Sequence, residues 1–156
     1  MRTKRWWRIS GLGLGLVLLA GALAARQPIA AAANATLGFG QVITGRNAGT
    51  VTITPAGSRT ATGGVALGSG LGASPASFLV TGEPSSSYSV TLPAAATLTG
   101  GSGTMSVDAF VCSPSSGWNL GSGGSQLISI GATLRVNGSQ PAANYSGSYS
   151  IIVSYE

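Results

Sequence analysis

The chain has 156 residues, 25 of them glycine, with eight basic and three acidic side chains, one cysteine and no histidine. That length suits one domain with a real hydrophobic core, since about 100 to 200 residues per domain is usual. One cysteine and no histidine cannot build a nitrogen- and sulfur-rich metal site, and the +5 net charge has to be located before it says anything about partners.

Arg2, Lys4, Arg5 and Arg8 stand directly before an apolar run from Ile9 to Ala25. A basic start, a hydrophobic middle and small residues at a cleavage point make residues 1–24 a secretory signal peptide. Cleavage follows Ala24, in Ala22-Leu23-Ala24, or Ala32, in Ala30-Ala31-Ala32. The mature chain then keeps Arg46, Arg59, Arg135 and, with the earlier cut, Arg26, against Glu83, Asp108 and Glu156, so its net charge is 0 or +1. No lysine is left, and nucleic acid, which needs clustered Lys or Arg, is not an expected partner. The apolar run is glycine-rich and 17 residues long, near the lower limit for crossing a bilayer, so no membrane span is expected after cleavage. The expected location is the periplasm, the cell surface or the extracellular medium.

Residues 25–35 read as a short N-terminal segment and 36–156 as the folded domain. From Thr36 onward short β-rich runs alternate with turn signals, the pattern of an all-β sandwich or barrel. Expected strands are Thr36 to Phe39, Thr50 to Thr54, Val65 to Leu67, Ser77 to Thr81, Tyr88 to Leu92, Thr97 to Thr99, Thr104 to Val111, Gln126 to Ile130 and Thr133 to Val136. Tyr88, Val90 and Leu92 point inward against Ser89 and Thr91, with Phe78 and Val80 inward around Leu79. Asn137-Gly138 is the strongest hairpin-type turn signal, because both residues tolerate positive φ.

The chain closes on NYSGSYSIIVSYE, Asn144 to Glu156. Alternation sorts Tyr145, Gly147, Tyr149, Ile151, Val153 and Tyr155 onto one face and serines, Ile152 and Glu156 onto the other. The segment reads as a strand, either the ordinary last strand of a sandwich or an edge where another strand pairs.

Chemistry is scarce elsewhere. Serine catalysis needs a base, and the mature chain has neither histidine nor lysine. Glu83 and Asp108 fall in separate turns or strands with no partner motif, so no catalytic residue and no enzyme activity is expected. Calcium wants clustered carboxylates, and no metal or cofactor is expected. Gly68-Ser69-Gly70-Leu71-Gly72-Ala73 matches a bare GxGxxA string, a chance event among so many glycines without a strand-turn-helix unit. Cys112 cannot pair within its own chain and reads as a small buried residue. Trp118, in a Ser/Pro/Gly loop, reads as an aromatic lid over the core or as a ligand contact.

The blocks GTVTITPAGSRTATGGVAL (49–67), SFLVTGEPSSSYSVTLP (77–93), TLTGGSGTMSVDAF (97–110), LISIGATLRV (127–136) and the ending YSGSYSIIVSYE resemble the bacterial domain-of-unknown-function family 4402. The resemblance implies an all-β, Ig-like antiparallel β-sandwich, similar to fimbrial subunits of the alternative chaperone-usher type, with an incomplete sheet edge. It implies a structural or adhesive surface protein whose partners, a periplasmic chaperone, an usher or other subunits, pair by β-strand addition. The expected partner-binding edge is Tyr145, Gly147, Tyr149, Ile151, Val153, Tyr155 and Glu156. Family members carry a longer β-rich segment before the Leu37-x-Phe39-Gly40 strand than RQPIAAAANA, so the chain is expected to receive a strand more readily than to give one. The competing reading is a self-contained secreted module for carbohydrate or matrix, using Trp118 and the glycine-rich loops.

Overall fold

The computed structural model describes residues 25–70 and 72–156, so the expected signal peptide lies outside the described residues. Eleven strands form: β1 (Ala30–Ala35), β2 (Gly38–Phe39), β3 (Val42–Ile53), β4 (Arg59–Leu67), β5 (Ala73–Ser74), β6 (Ala76–Thr81), β7 (Tyr88–Thr91), β8 (Ala95–Gly100), β9 (Gly103–Ser113), β10 (Ser125–Val136) and β11 (Ile152–Tyr155). All their pairings are antiparallel, and no helix occurs among the described residues. The chain is an all-β, Ig-like sandwich of curled antiparallel sheets.

Two expected strands, Gln126 to Ile130 and Thr133 to Val136, prove to be one element, β10. On one edge β10 pairs with β9 from Ser129 to Arg135. The other edge is shared, β6 taking Ser125 to Ile130 and β3 taking Ala132 to Val136. Gly131 sits at the changeover. A Cβ there would collide with the Ile53 carbonyl oxygen and lie 2.8 Å from Pro55 N and Thr54 C, so the bare backbone is what lets the end of β3 cross so close.

This sharing divides the interior in two. Val51 and Ile53 of β3, Val65 of β4, Met105 and Val107 of β9, and Leu134 and Val136 of β10 are buried in a first core. Val80, Tyr88, Leu120 and Ile128 form a second, which the β7–β11 pair covers through Val90, Val153 and Tyr155. Each such aliphatic side chain removed from water contributes about 1.5 to 3 kcal/mol. On the opposite face of β3, Thr50 and Thr52 turn outward and their hydroxyls bond Thr62 at 2.7 Å and Thr133 at 3.0 Å, as period-two sorting requires.

A bulge in β9 decides which side chains reach the interior. Gly131 pairs with Val111 but Thr133 with Asp108, so Ala109 and Phe110 together oppose Ala132. Simple alternation from Met105 and Val107 would turn Ala109 and Val111 inward; the extra residue turns Phe110 and Cys112 inward instead, leaving Val111 49% exposed. Ala109 adopts φ of +50° to do this, a conformation that costs a residue with a Cβ about 1 kcal/mol. Ala109→Gly is therefore expected to raise stability by about 0.5 to 1 kcal/mol. A urea midpoint unchanged or lowered in that variant contradicts the assignment.

Tyr88 is fully buried, and its hydroxyl donates to Gln126 Oε1 at 2.6 Å. Burial first, and the neighbouring Cys112 second, push its pKa up to about 12. Above about pH 10 the unfolded chain releases this proton while the folded chain keeps it. Its contribution is thus complete below about pH 10 and falls as the pH climbs toward about 12, by roughly 2 to 3 kcal/mol in all. Urea melts of Tyr88→Phe and the parent test this: the parent alone should lose that extra stability, and parallel losses would place the phenol in a solvated site.

Three expectations need correction. Thr36 and Leu37 lie outside β2, while Ala30–Ala35, in the short N-terminal segment where no strand was expected, is strand β1 on the edge of β6. Alanine has low strand propensity, but pairing with Phe78, Leu79, Val80 and Thr81 supplies what propensity does not. Asn137-Gly138 makes no hairpin: the positive φ falls on Ser139, and Asn137 Nδ2 instead donates to the Thr104 carbonyl at 3.4 Å. The terminal strand is shorter than expected, since only Ile152–Tyr155 is strand, with one isolated bridge from Ser146 to Thr99.

Candidate functional site

Between the start of β3 and the C-terminal segment the sandwich is open. One wall is Leu37 to Thr44, the stretch containing β2. Its outer edge is paired, Phe39 with Ala73 and Val42, Ile43 and Thr44 with Leu67, Ala66 and Val65. Arg59 stiffens this wall by donating from Nη1 to the Gly68 carbonyl at 3.1 Å and from Nη2 to the Gln41 carbonyl. The other wall is Gln140 to Tyr149, held to β8 by reciprocal bonds between Ser146 and Thr99 at 2.8 and 3.0 Å. Gly147 permits this approach, because a Cβ there would collide with the Thr97 carbonyl.

The walls meet at one end only. Ser139 N–H donates to the Gly45 carbonyl at 2.8 Å and Thr44 Oγ1 to the Gln140 carbonyl at 3.3 Å. Beyond that junction, among the described residues, no hydrogen bond joins the walls and no strand pairs with their facing backbone edges. The groove between them holds about 1110 Å³ and is floored by Ala96, Leu98, Met105, Val107, Phe110 and Leu134. Among the described residues no charged side chain lines it. The volume exceeds that of most small-molecule pockets, about 300 to 1,000 Å³, and the apolar floor belongs to the first core.

The expected edge residues divide between this groove and the second core. Tyr145, Gly147 and Tyr149 line the groove. The Tyr145 hydroxyl donates to the Pro141 carbonyl at 2.8 Å and accepts from Gln140 Nε2 at 2.9 Å, while the same Nε2 donates to the Thr104 carbonyl at 3.1 Å. Gln140 is the one buried polar side chain among the described residues. Tyr149 lies 5.2 Å from Phe110 and 6.4 Å edge-on from Phe78, joining the two cores, and burial pushes its phenol pKa up.

Ile151 and Val153 pack on the second core instead, and Val153 pairs with Val90. The Tyr155 hydroxyl donates to the Gln27 carbonyl at 2.6 Å and accepts from Glu83 N–H at 2.6 Å, with the Arg26 guanidinium 3.9 Å above its ring. Glu156 is exposed and its N–H donates to the Ser87 carbonyl. Trp118 is half-buried on the second core, its Nε1 donating to the Pro114 carbonyl at 2.9 Å and its ring 6.5 Å from Tyr88.

The remaining polar groups sit apart. Asp108 is paired with Arg135 at 2.9 Å on the outside of β9 and β10, and Glu83 Oε2 accepts from Gln27 N–H at 3.0 Å. Burial pushes the Cys112 thiol up. Gly68 to Gly70 and Gly72 lie outside the strands, Ala73 opens β5, and no helix follows in the described residues. Sequence reasoning missed the facing wall, Leu37 to Thr44, and the floor residues Leu98, Met105 and Phe110. Leu37 and Phe39 carried a signal, as alternating large residues, but nothing local to them reports an unpaired edge.

The family described as "Domain of unknown function (DUF4402)" matches residues 29–155, and the chain belongs to it. No curated protein and no solved structure matches the chain.

Proposed function

We propose that this DUF4402 member is an exported structural or adhesive protein that receives an extended strand from a partner in the groove between Leu37 to Thr44 and Gln140 to Tyr149. The observation that carries the reading is the pair of facing, unpaired backbone edges above an apolar floor. A lipid would cover the floor but leave both rows of N–H and C=O groups unmet, and a sugar would set its hydroxyls against the apolar floor. An extended peptide brings donors and acceptors to both walls and side chains to the floor at every second position. A chaperone, an usher or another subunit supplies such a strand.

Export with cleavage after Ala24 fits the packing. A cut after Ala32 would remove Ile29 and Ala31 from the second core and half of β1 from the edge of β6. The intact mass of the secreted protein tests this: a chain starting at Ala25 is expected, and one starting at Ala33 contradicts it.

The competing carbohydrate or matrix reading leans on Trp118. Its indole N–H is already bonded and its ring packs on the second core, as a lid does, so the groove is favoured.

A photo-crosslinking residue in place of Ala143, on the groove wall, tests the proposal in the cell. The expected adduct maps to an alternating apolar segment of another polypeptide and is missing when the crosslinker replaces Leu127, on the outer sheet face. Adducts of equal yield from both positions, or none from position 143, contradict it.

A further inference from the structure

We infer that the strand entering the groove comes from a different polypeptide, as an uncharged segment with bulky apolar side chains at alternate positions, and that copies of this chain do not join through residues 25–35. The inference rests on the strand-acceptor reading and names its occupant. Those residues are already committed. β1 pairs with β6 over Ala30–Ala35, and Ile29 and Ala31 pack on the second core. Ahead of them, Gln27 is held through both backbone groups, by Glu83 Oε2 at 3.0 Å and by the Tyr155 hydroxyl at 2.6 Å, while Arg26 lies over the Tyr155 ring. Donation to a neighbour would break all of these contacts at once. The family match begins at residue 29, so Ile29 and all of β1 belong to the domain itself.

Size points the same way. The side chains that AAAANA would present are methyl groups and one amide, facing a groove of about 1110 Å³ floored by Leu98, Met105 and Phe110. Filling it takes branched or aromatic side chains, because an apolar wall left without partner atoms forfeits its dispersion contacts. The eight residues of Leu37 to Thr44 span about 25 Å at about 3.3 Å each, which sets an occupant of about eight residues with about four facing the floor. With no charge in the lining among the described residues, an inward Lys, Arg, Asp or Glu would be buried unpaired.

Two synthetic peptides and the secreted protein separate the outcomes. One peptide alternates Val, Ile or Leu with Thr or Ser over nine residues; the other copies Ala25 to Ala35. The alternating peptide is expected to bind one to one and to raise the melting temperature by about 5 °C or more. The copied segment is expected to do neither, and light scattering on concentrated protein should find monomers. If the copied segment binds as well, or concentrated protein forms chains, the inference fails while the groove reading stands. If neither peptide binds, the groove reading fails and takes the inference with it.

Discussion

Gly131→Val is expected to leave no cooperatively folded protein. A Cβ at this position collides with the Ile53 carbonyl and crowds Thr54 and Pro55, all backbone atoms that no rotamer change can move aside. The collision falls where β10 passes from β6 to β3, so relief means peeling β3 away from Ala132 and exposing Val51, Ile53 and Leu134. The loss should exceed about 4 kcal/mol, the exceptional end for a single substitution, against a total of about 5 to 15 kcal/mol. Gly131→Ala should show the same direction with a smaller loss. A Gly131→Val chain that melts cooperatively within about 1 kcal/mol of the parent would mean that β3 does not cross at Gly131.

Ala96→Trp is expected to separate fold from binding. Ala96 lies on β8 opposite Val107, half-buried, and lines the groove. An indole there should occupy the floor that an incoming strand would use, covering apolar surface that is open in the free chain. Thermal stability should be unchanged or higher. The affinity for an alternating apolar peptide should fall by about 100-fold or more, about 2.7 kcal/mol. Retained affinity in a folded Ala96→Trp chain would place the binding surface elsewhere.

Period-two patterning made most of the sandwich legible, because a half-buried strand must sort its side chains: Val51 and Ile53 against Thr50 and Thr52, Tyr88 and Val90 against Ser89 and Thr91. It also carried the sorting of the C-terminal segment, where Tyr145, Tyr149, Ile151, Val153 and Tyr155 are half-buried and the serines and Ile152 exposed. What it could not carry is pairing. Side-chain alternation reports two faces, not which backbone edges are satisfied, so Asn144 to Glu156 looks like one strand although only Ile152–Tyr155 is zipped to β7.

Nor could composition announce β1, where six small residues gain their order from β6 rather than from their own preference. The unity of β10 was hidden because Gly131 looks like punctuation, whereas its role is to admit a crossing backbone. The bulge at Ala109 was hidden as well, and with it the reason that Phe110 reaches the groove. The candidate site was half visible: the wall from Tyr145 to Tyr149 was anticipated, and its partner wall and floor emerged only in three dimensions.

The central claim is that Leu37 to Thr44 and Gln140 to Tyr149 present unpaired backbone edges that a donated strand completes. Amide hydrogen exchange of the free protein and of its complex with an alternating apolar peptide tests it most directly. Groove-facing amides in both walls are expected to exchange rapidly in the free protein and to slow by about tenfold or more when the peptide is bound. Walls already protected in the free chain, or protection appearing only along the outer edges of β1 or β4, would contradict it.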